Sequence, residues 1–357
     1  MKTKLLAAAA ALALALPASA QEEPQSRSSS EAVAQTTTPA PSPNEIVESA
    51  TPEEWVSIPA EDLLVMTLAP DADGNPREVV IQLMPAPFSQ GWVENIRTLA
   101  RAQWYDGISV NRVQDNYVVQ WGDPGYDNPE SGETEQKPLP EGLRVMGEDE
   151  YELIPSAEHV ERILPPLPGG QPLTSDDLRR RMSHLYIAPN GSRDTYLDGW
   201  PLSIGFPAFS GLAPVHCYGM VGVGRNYSPD TGTGAELYTV IGHAPRHLDR
   251  NIALVGRVIA GMEHLSSLPR GTGALGFYTE DEAHKRTPIL SVRVSADLPE
   301  RGRREFSYLS TQSESFARYA EARANRRDPF FIHPAGGADI CNIPVPIRES
   351  EAAIEGE

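Results

Sequence analysis

The chain has 357 residues, 49 acidic against 30 basic, and a formal net charge of −19 at neutral pH. A surface so rich in carboxylates repels phosphate backbones, which argues against a nucleic-acid partner. The two cysteines, Cys217 and Cys341, form no CxxC pair, so thiol-redox chemistry is not expected; one disulfide or two buried thiols remain open.

Residues 1–20, "MKTKLLAAAAALALALPASA", join a basic start to a short apolar run and a small-residue cleavage site. They read as an export signal, since a membrane span needs about 20 apolar residues. No cysteine follows the cut and no later apolar run is long, so no membrane anchor is expected after cleavage. Residues 21–55 are rich in Ser, Thr, Pro, Gln and Glu and read as a disordered leader, because they bury too little to offset the entropy of ordering.

"DLLVMTLAP" and "REVVIQLMP" flank the turn sequence "DADGNP" and predict a β-hairpin. In "FSQGWVENIRTLARAQW", Trp92, Ile96 and Leu99 recur at spacings of four and three, one apolar face of a helix with Ser89 as its N-cap. "YDGISVNRVQDNYVVQWGDP" predicts two short strands; alternation puts Val110 and Arg112 on one face of the first, Val118 and Gln120 on one face of the second. An arginine in a half-buried strand is either solvated at an edge or held against something, so Arg112 is the residue to explain.

From about 126 to 210 the chain turns polar and Pro/Gly-rich, and reads as an irregular insertion with apolar residues too scattered for a core of its own; "SDDLRRRMSHLYIAP" suggests a short helix there. Strands return at "VHCYGMVGVGRN" and "AELYTVIGH". "NIALVGRVIAGMEHLSSLP" is a strand running into a helix with Ile259, Met262 and Leu265 on one face, and "PILSVRVSADLP" is a last strand. Many short strands with few helices predict a mainly β fold, a closed barrel capped by two helices, because closure removes sheet edges. The core domain is expected over 56–298. The extension 299–357 begins with a helix, "SESFARYAEARANRR", and its apolar "DPFFIHPAGGADICNIPVPI" should dock on the body, ordered to about Arg348.

Two collinear blocks, "VENIRTLARAQWYDGISVNRVQDNYVVQWGDP" and "GMVGVGRNYSPDTGTGAELYTVIGHAPRHLDRNIALVGRVIAGM", resemble the cyclophilins, the peptidyl-prolyl cis–trans isomerases. The resemblance implies a cyclophilin-like barrel acting on proline-containing segments; no cofactor or metal is expected, and the expected state is a monomer. It assigns Arg112 and Gln120 to catalysis, and Tyr117, Val118, Gly222, Glu236, Leu237, Tyr238 and Leu248 to substrate binding. It also marks departures: Asn111 stands for a histidine, Val110 for a phenylalanine, Gly222 for an asparagine, Glu236 for a glutamine, Leu237 for a phenylalanine, His247 for a tryptophan and Ile252 for a histidine. His243 and His247 lie four apart, but the intervening proline spoils a helical metal pair. The glycines of "GVGRNYSPDTGTG" lack the helix and lysine of a phosphate loop. With the export signal, the expected role is assisting the folding of exported proteins in a bacterial periplasm or outside the cell; the alternative is a non-catalytic module that grips proline peptides.

Overall fold

The computed structural model describes residues 39–123, 136–164, 186–187, 193–205 and 210–350. The export signal, most of the helix expected around 175–189 and the last residues of the extension lie outside this set. In chain order the strands are β1 (Trp55–Ser57), β2 (Leu63–Leu68), β3 (Arg77–Leu83), β4 (Ser109–Val113), β5 (Val118–Gly122), β6 (Tyr186–Ile187), β7 (Arg193–Leu197), β8 (Trp200–Ile204), β9 (Leu212–Pro214), β10 (Met220–Val223), β11 (Leu237–Val240), β12 (Leu254–Ala260), β13 (Ile289–Val294), β14 (Phe306–Leu309) and β15 (Ile347–Glu349). The α-helices are α1 (Pro43–Glu48), α2 (Gln90–Arg101), α3 (Ala157–Ile163), α4 (Met262–Ser266) and α5 (Glu314–Ala324).

Eight strands form one antiparallel sheet in the order β13-β2-β3-β12-β10-β11-β5-β4. Its two ends meet. The Ile289 amide donates to the Ile108 carbonyl at 2.8 Å, and the Val110 amide to the Thr287 carbonyl at 2.9 Å. The result is the closed mainly β barrel expected from the sequence. The expected hairpin is β2–β3, paired from Leu63↔Gln82 to Leu68↔Arg77. Its turn is organised by Asp71, whose carboxylate accepts from the Asp73 and Asn75 amides.

Helix α2 buries Trp92, Ile96 and Leu99 completely, the face read from their spacing. Ser89 occupies the N-cap position but makes no side-chain cap bond, because its backbone is left-handed there (φ 53°). Helix α4 sends Met262 and Leu265 to the same core, whereas Ile259 lies in β12 and packs into a second cluster with Leu63, Val80 and Phe306. A strand turns alternate residues to opposite faces, so Ile259 does not share the helical face expected for it.

The leader is ordered further forward than its composition suggests. Ile46 of α1 is buried in the main core, and α1 packs against α5. The Glu54 carboxylate accepts from the Ser315 amide and hydroxyl at 2.9 and 2.8 Å, at the start of α5. Its ordering partner lies about 260 residues away, where no local pattern reveals it.

The insertion is more regular than its sequence suggests. Strands β6–β9 form a four-stranded sheet, with Asp198-Gly199 turning the chain between β7 and β8. Tyr196, Trp200 and Leu202 join the main core. Trp200 also lies 4.4 Å under the Arg257 guanidinium, whose Nε and Nη1 donate to Gln82 Oε1 and the Gly199 carbonyl. Burial pulls that guanidinium down to about 10. The extension pairs β14 and β15 with β1 in a sheet over the outer face of β2 and β3, and seats Ile340 and Ile343 in the core. Phe330 and Ile332, at 84% and 87% exposure, stay outside. Cys217 and Cys341 are joined by a disulfide. Among the described residues no helix is long and apolar enough to cross a membrane.

Gly261 links β12 to α4 at φ +78°, where a Cβ would collide with the Glu78 carbonyl. Gly261→Ala should therefore lose about 2 kcal/mol in urea unfolding at equilibrium. A midpoint equal to that of the parent would show that β12 and α4 can move apart at no cost.

Candidate active site

The barrel register lines up one lateral row of residues. Gly222 of β10 pairs with Tyr238 of β11, Tyr238 with Gln120 of β5, and Gln120 with Arg112 of β4. Arg112 in turn bridges to Phe277. Tyr238, Gln120, Arg112 and Phe277 line a cavity of about 530 Å³, with Val118, Leu248 and Ile252 on its apolar walls. None of the insertion's described residues lines it.

Strand alternation explains which side chains reach the cavity. Val119, Trp121 and Leu237 turn inward to the core, so Val118, Gln120 and Tyr238 face outward. In β4 the register shifts between Val110 and Arg112. Val110 opposes Trp121 and is fully buried, while Arg112 opposes Gln120 and faces the cavity. Simple alternation had put Val110 and Arg112 on one face; the bulge at Asn111 separates them.

The guanidinium of Arg112 is fixed on all three nitrogens. Nε donates to the Leu275 carbonyl at 2.7 Å, Nη1 to Gln120 Oε1 at 3.1 Å and Nη2 to Gln114 Oε1 at 2.5 Å. Its central carbon lies 5.2 Å from the Phe277 ring and 5.7 Å from the Tyr117 ring, within cation–π range of both. Gln120 Nε2 donates to Glu236 Oε2 at 2.8 Å. A carboxylate can only accept, so Glu236 sets which end of the Gln120 amide faces Arg112.

A single 3₁₀ turn, Arg246–Leu248, sends successive side chains in three directions. Leu248 lines the cavity, His247 lies parallel to the Tyr117 ring, and Arg246 reaches behind the wall. There Arg246 Nε donates to Asp249 Oδ2 at 2.6 Å, and its two Nη atoms grip the Asp194 carboxylate at 2.9 and 3.1 Å. Asp249 Oδ1 lies 2.8 Å from His216 Nδ1, and His216 Nε2 lies 2.9 Å from the Tyr238 hydroxyl. Burial holds the His216 ring below its ordinary pKa, although Asp249 pulls the other way. Burial raises Asp249, but hydrogen bonds from His216 and Arg246 outweigh it and hold the carboxyl below its usual range. Burial pushes the Tyr238 phenol well above its usual range.

Of the residues singled out from the sequence, Arg112, Gln120, Tyr117, Val118, Glu236, Tyr238 and Leu248 meet in this cavity. Two do not. Leu237 belongs to the core, because it alternates with Tyr238. Gly222 lies beneath Tyr238, where a Cβ would collide with the phenol, so it makes room for the ring instead of lining the cavity. Sequence reasoning missed Phe277, Leu275, Gln114 and the His216–Asp249 pair. Gln114 sits two residues from Arg112 and could have been suspected on proximity; the others come from distant segments that carry no local signal.

The family described as cyclophilin type peptidyl-prolyl cis-trans isomerase/CLD matches residues 75–294. The chain is similar in structure to a cyclophilin from Hirschia baltica, with a TM-score of 0.56 at 18% identity over 84% of this chain and 97% of that one. A cyclophilin-type isomerase from Cryptosporidium parvum, crystallised in the presence of the dipeptide Ala-Pro, gives a TM-score of 0.32 at 10% identity over 64% and 98%. At 18% identity the Hirschia baltica structure speaks to fold alone. No curated protein sequence matches the chain significantly.

The buried histidine has a consequence for stability. Burial in the folded state disfavours protonation of His216, whereas the unfolded ring takes up a proton near its ordinary 6.5. Its contribution is therefore present above 6.5 and lost as pH falls below it, by at most about 1.4 kcal/mol per pH unit. Urea midpoints measured from pH 7.5 to 5 should fall more steeply for the parent than for His216→Gln; parallel slopes would refute this.

Proposed function

Because the chain belongs to the cyclophilin-type peptidyl-prolyl cis–trans isomerase family, we propose that its isomerase activity works through Arg112 and serves the folding of exported proteins. The observation that carries the mechanistic part is the Arg112 guanidinium, fixed on three nitrogens at the edge of an apolar cavity.

Rotation about a peptide bond breaks no σ bond but loses amide resonance, at a barrier of about 18–20 kcal/mol. For an X–Pro bond, spontaneous exchange takes roughly tens to hundreds of seconds. No nucleophile is needed. In the twisted amide the nitrogen becomes pyramidal and can accept a hydrogen bond. A guanidinium stays charged at all working pH values and donates in a rigid fork. Held beside an apolar cavity, it stabilises that state more than water would, because it is already oriented and solvent is excluded.

The magnitudes show what else is required. A rate gain of five decades needs about 7 kcal/mol, and one charge-assisted hydrogen bond contributes about 1.5–3 kcal/mol. The remainder falls to the slot itself. Val118, Tyr238, Leu248 and Ile252 enclose the proline ring, and Gln120, oriented by Glu236, steers the neighbouring carbonyl. Preorganisation of this kind contributes through the entropy that the bound peptide no longer loses at the transition state.

The substrates are proline-containing segments of exported polypeptides. Two observations support export to an oxidising compartment such as the periplasm: the sequence of residues 1–20 and the Cys217–Cys341 disulfide, a bond that persists outside the reducing cytosol.

In a direct proline-isomerisation assay on the mature protein, Arg112→Ala should lower kcat/KM at least tenfold. Arg112→Lys should recover only part of the loss, since an ammonium lacks the fork. Equal rates for parent and Arg112→Ala would eliminate the arginine mechanism and leave the slot with a binding role.

A further inference from the structure

We infer that His216 is a positioning residue of the proline slot. Held by Asp249, it fixes the seat of Tyr238 in the slot wall, and Arg246 carries the restraint on to Asp194 in β7 of the insertion. The inference rests on the reading of this cavity as the proline slot.

The chemistry assigns the direction of each bond. His216 is fully buried, which favours its neutral form, and its Nδ1 faces a carboxylate. A carboxylate kept ionised by Arg246 can only accept, so Nδ1 carries the proton and donates to Asp249. Nε2 is then an acceptor, and the Tyr238 hydroxyl donates to it. The Asp249 carboxylate accepts from the His216 backbone amide as well, at 2.9 Å, which fixes ring and backbone together. The two aromatic planes lie 9° apart with centroids 6.4 Å from each other.

The hydroxyl of Tyr238 therefore sits in a socket. Gly222 backs it, leaving no room for a side chain, and His216 closes the end. The ring itself faces the cavity beside Val118 and Ile252. A shift of the hydroxyl away from His216 would tilt the ring and change the width of the slot that grips proline. A buried, satisfied histidine is usually a core group and nothing more. Here its partner is the slot wall, and that distinguishes the two roles experimentally.

The far end of the chain of bonds lies in the insertion. Asp194 of β7 is almost fully buried and holds Arg246 through both oxygens. Arg246 belongs to the same turn as Leu248, so the insertion braces two slot residues at once: Leu248 through the turn and Tyr238 through His216.

The test is a double-mutant cycle, read as kcat and KM for a proline peptide and, separately, as equilibrium affinity for that peptide, with thermal melts for each variant. Tyr238→Phe keeps the ring and removes the hydroxyl; it should raise KM about three- to tenfold with kcat within twofold. His216→Leu should do the same, and His216→Leu/Tyr238→Phe should be no worse than either single variant, because both remove one bond. His216→Gln keeps a polar atom near the Nε2 position and should restore KM to within twofold of the parent. Asp194→Asn should raise KM about two- to threefold, and by less when Tyr238 lacks its hydroxyl, because only the route through Leu248 then remains. Multiplying effects in the double variant, or a parental KM in Tyr238→Phe, would overturn the inference. Should His216→Leu fail to fold, Tyr238→Phe and His216→Gln still decide it. A parent that binds the peptide without turning it over would refute the catalytic reading, while the same cycle read as affinity still judges this one.

Discussion

A one-residue bulge in β4 is the constraint on which the site depends. Strand side chains alternate with a period of two, so a residue added at Asn111 reverses the facing of everything beyond it. Val110 can then remain in the core opposite Trp121 while Arg112 turns outward opposite Gln120. Without the bulge, the guanidinium would either follow Val110 into the barrel or pull that valine out. Burying the cation in the core would cost several kcal/mol without a partner. At the cavity edge, partly buried, it keeps contact with two aromatic faces and three oxygen acceptors.

Charge is divided accordingly. The chain as a whole is strongly acidic, yet the cavity presents a cation, and the cavity carboxylate Glu236 accepts from Gln120. Behind the slot wall the pattern is different: two carboxylates, one arginine and one neutral histidine, all buried or nearly so, satisfy one another. Such networks stabilise little compared with an apolar core of equal volume, but they hold groups in one arrangement. That is a property a binding slot uses more than a core does.

The additions to the barrel converge on this same region. Asp194 arrives from the insertion, Asp339 of the extension lies 3.6 Å from Arg246, and the disulfide joins Cys341 to Cys217, the residue after His216. The leader's Glu54, at the start of α5, secures the extension from the other side. These segments are packed into the barrel's own core through Ile46, Trp200 and Ile340, so they behave as parts of one unit from Ala40 onward.

The hairpin β2–β3, the face of α2 and the outward pair Val118 and Gln120 were legible from the amino-acid order, because each rests on contacts between near neighbours whose periodicity is 2 or about 3.6. The resemblance of two collinear blocks carried Arg112, Tyr238 and Leu248 to one site. What the order of residues left hidden shares a single physical cause: its partners are far apart along the chain. The bulge at Asn111 exists only in the pairing of β4 with β5, where Val110 meets Trp121 and Arg112 meets Gln120. Gly222 serves the ring across the strand, Leu237 yields its face to Tyr238, and α1 packs on α5. Local sequence determined which segments of the barrel form strands and helices. Tertiary structure alone decided which side chains face one another, since that follows from register and closure, which no short stretch encodes.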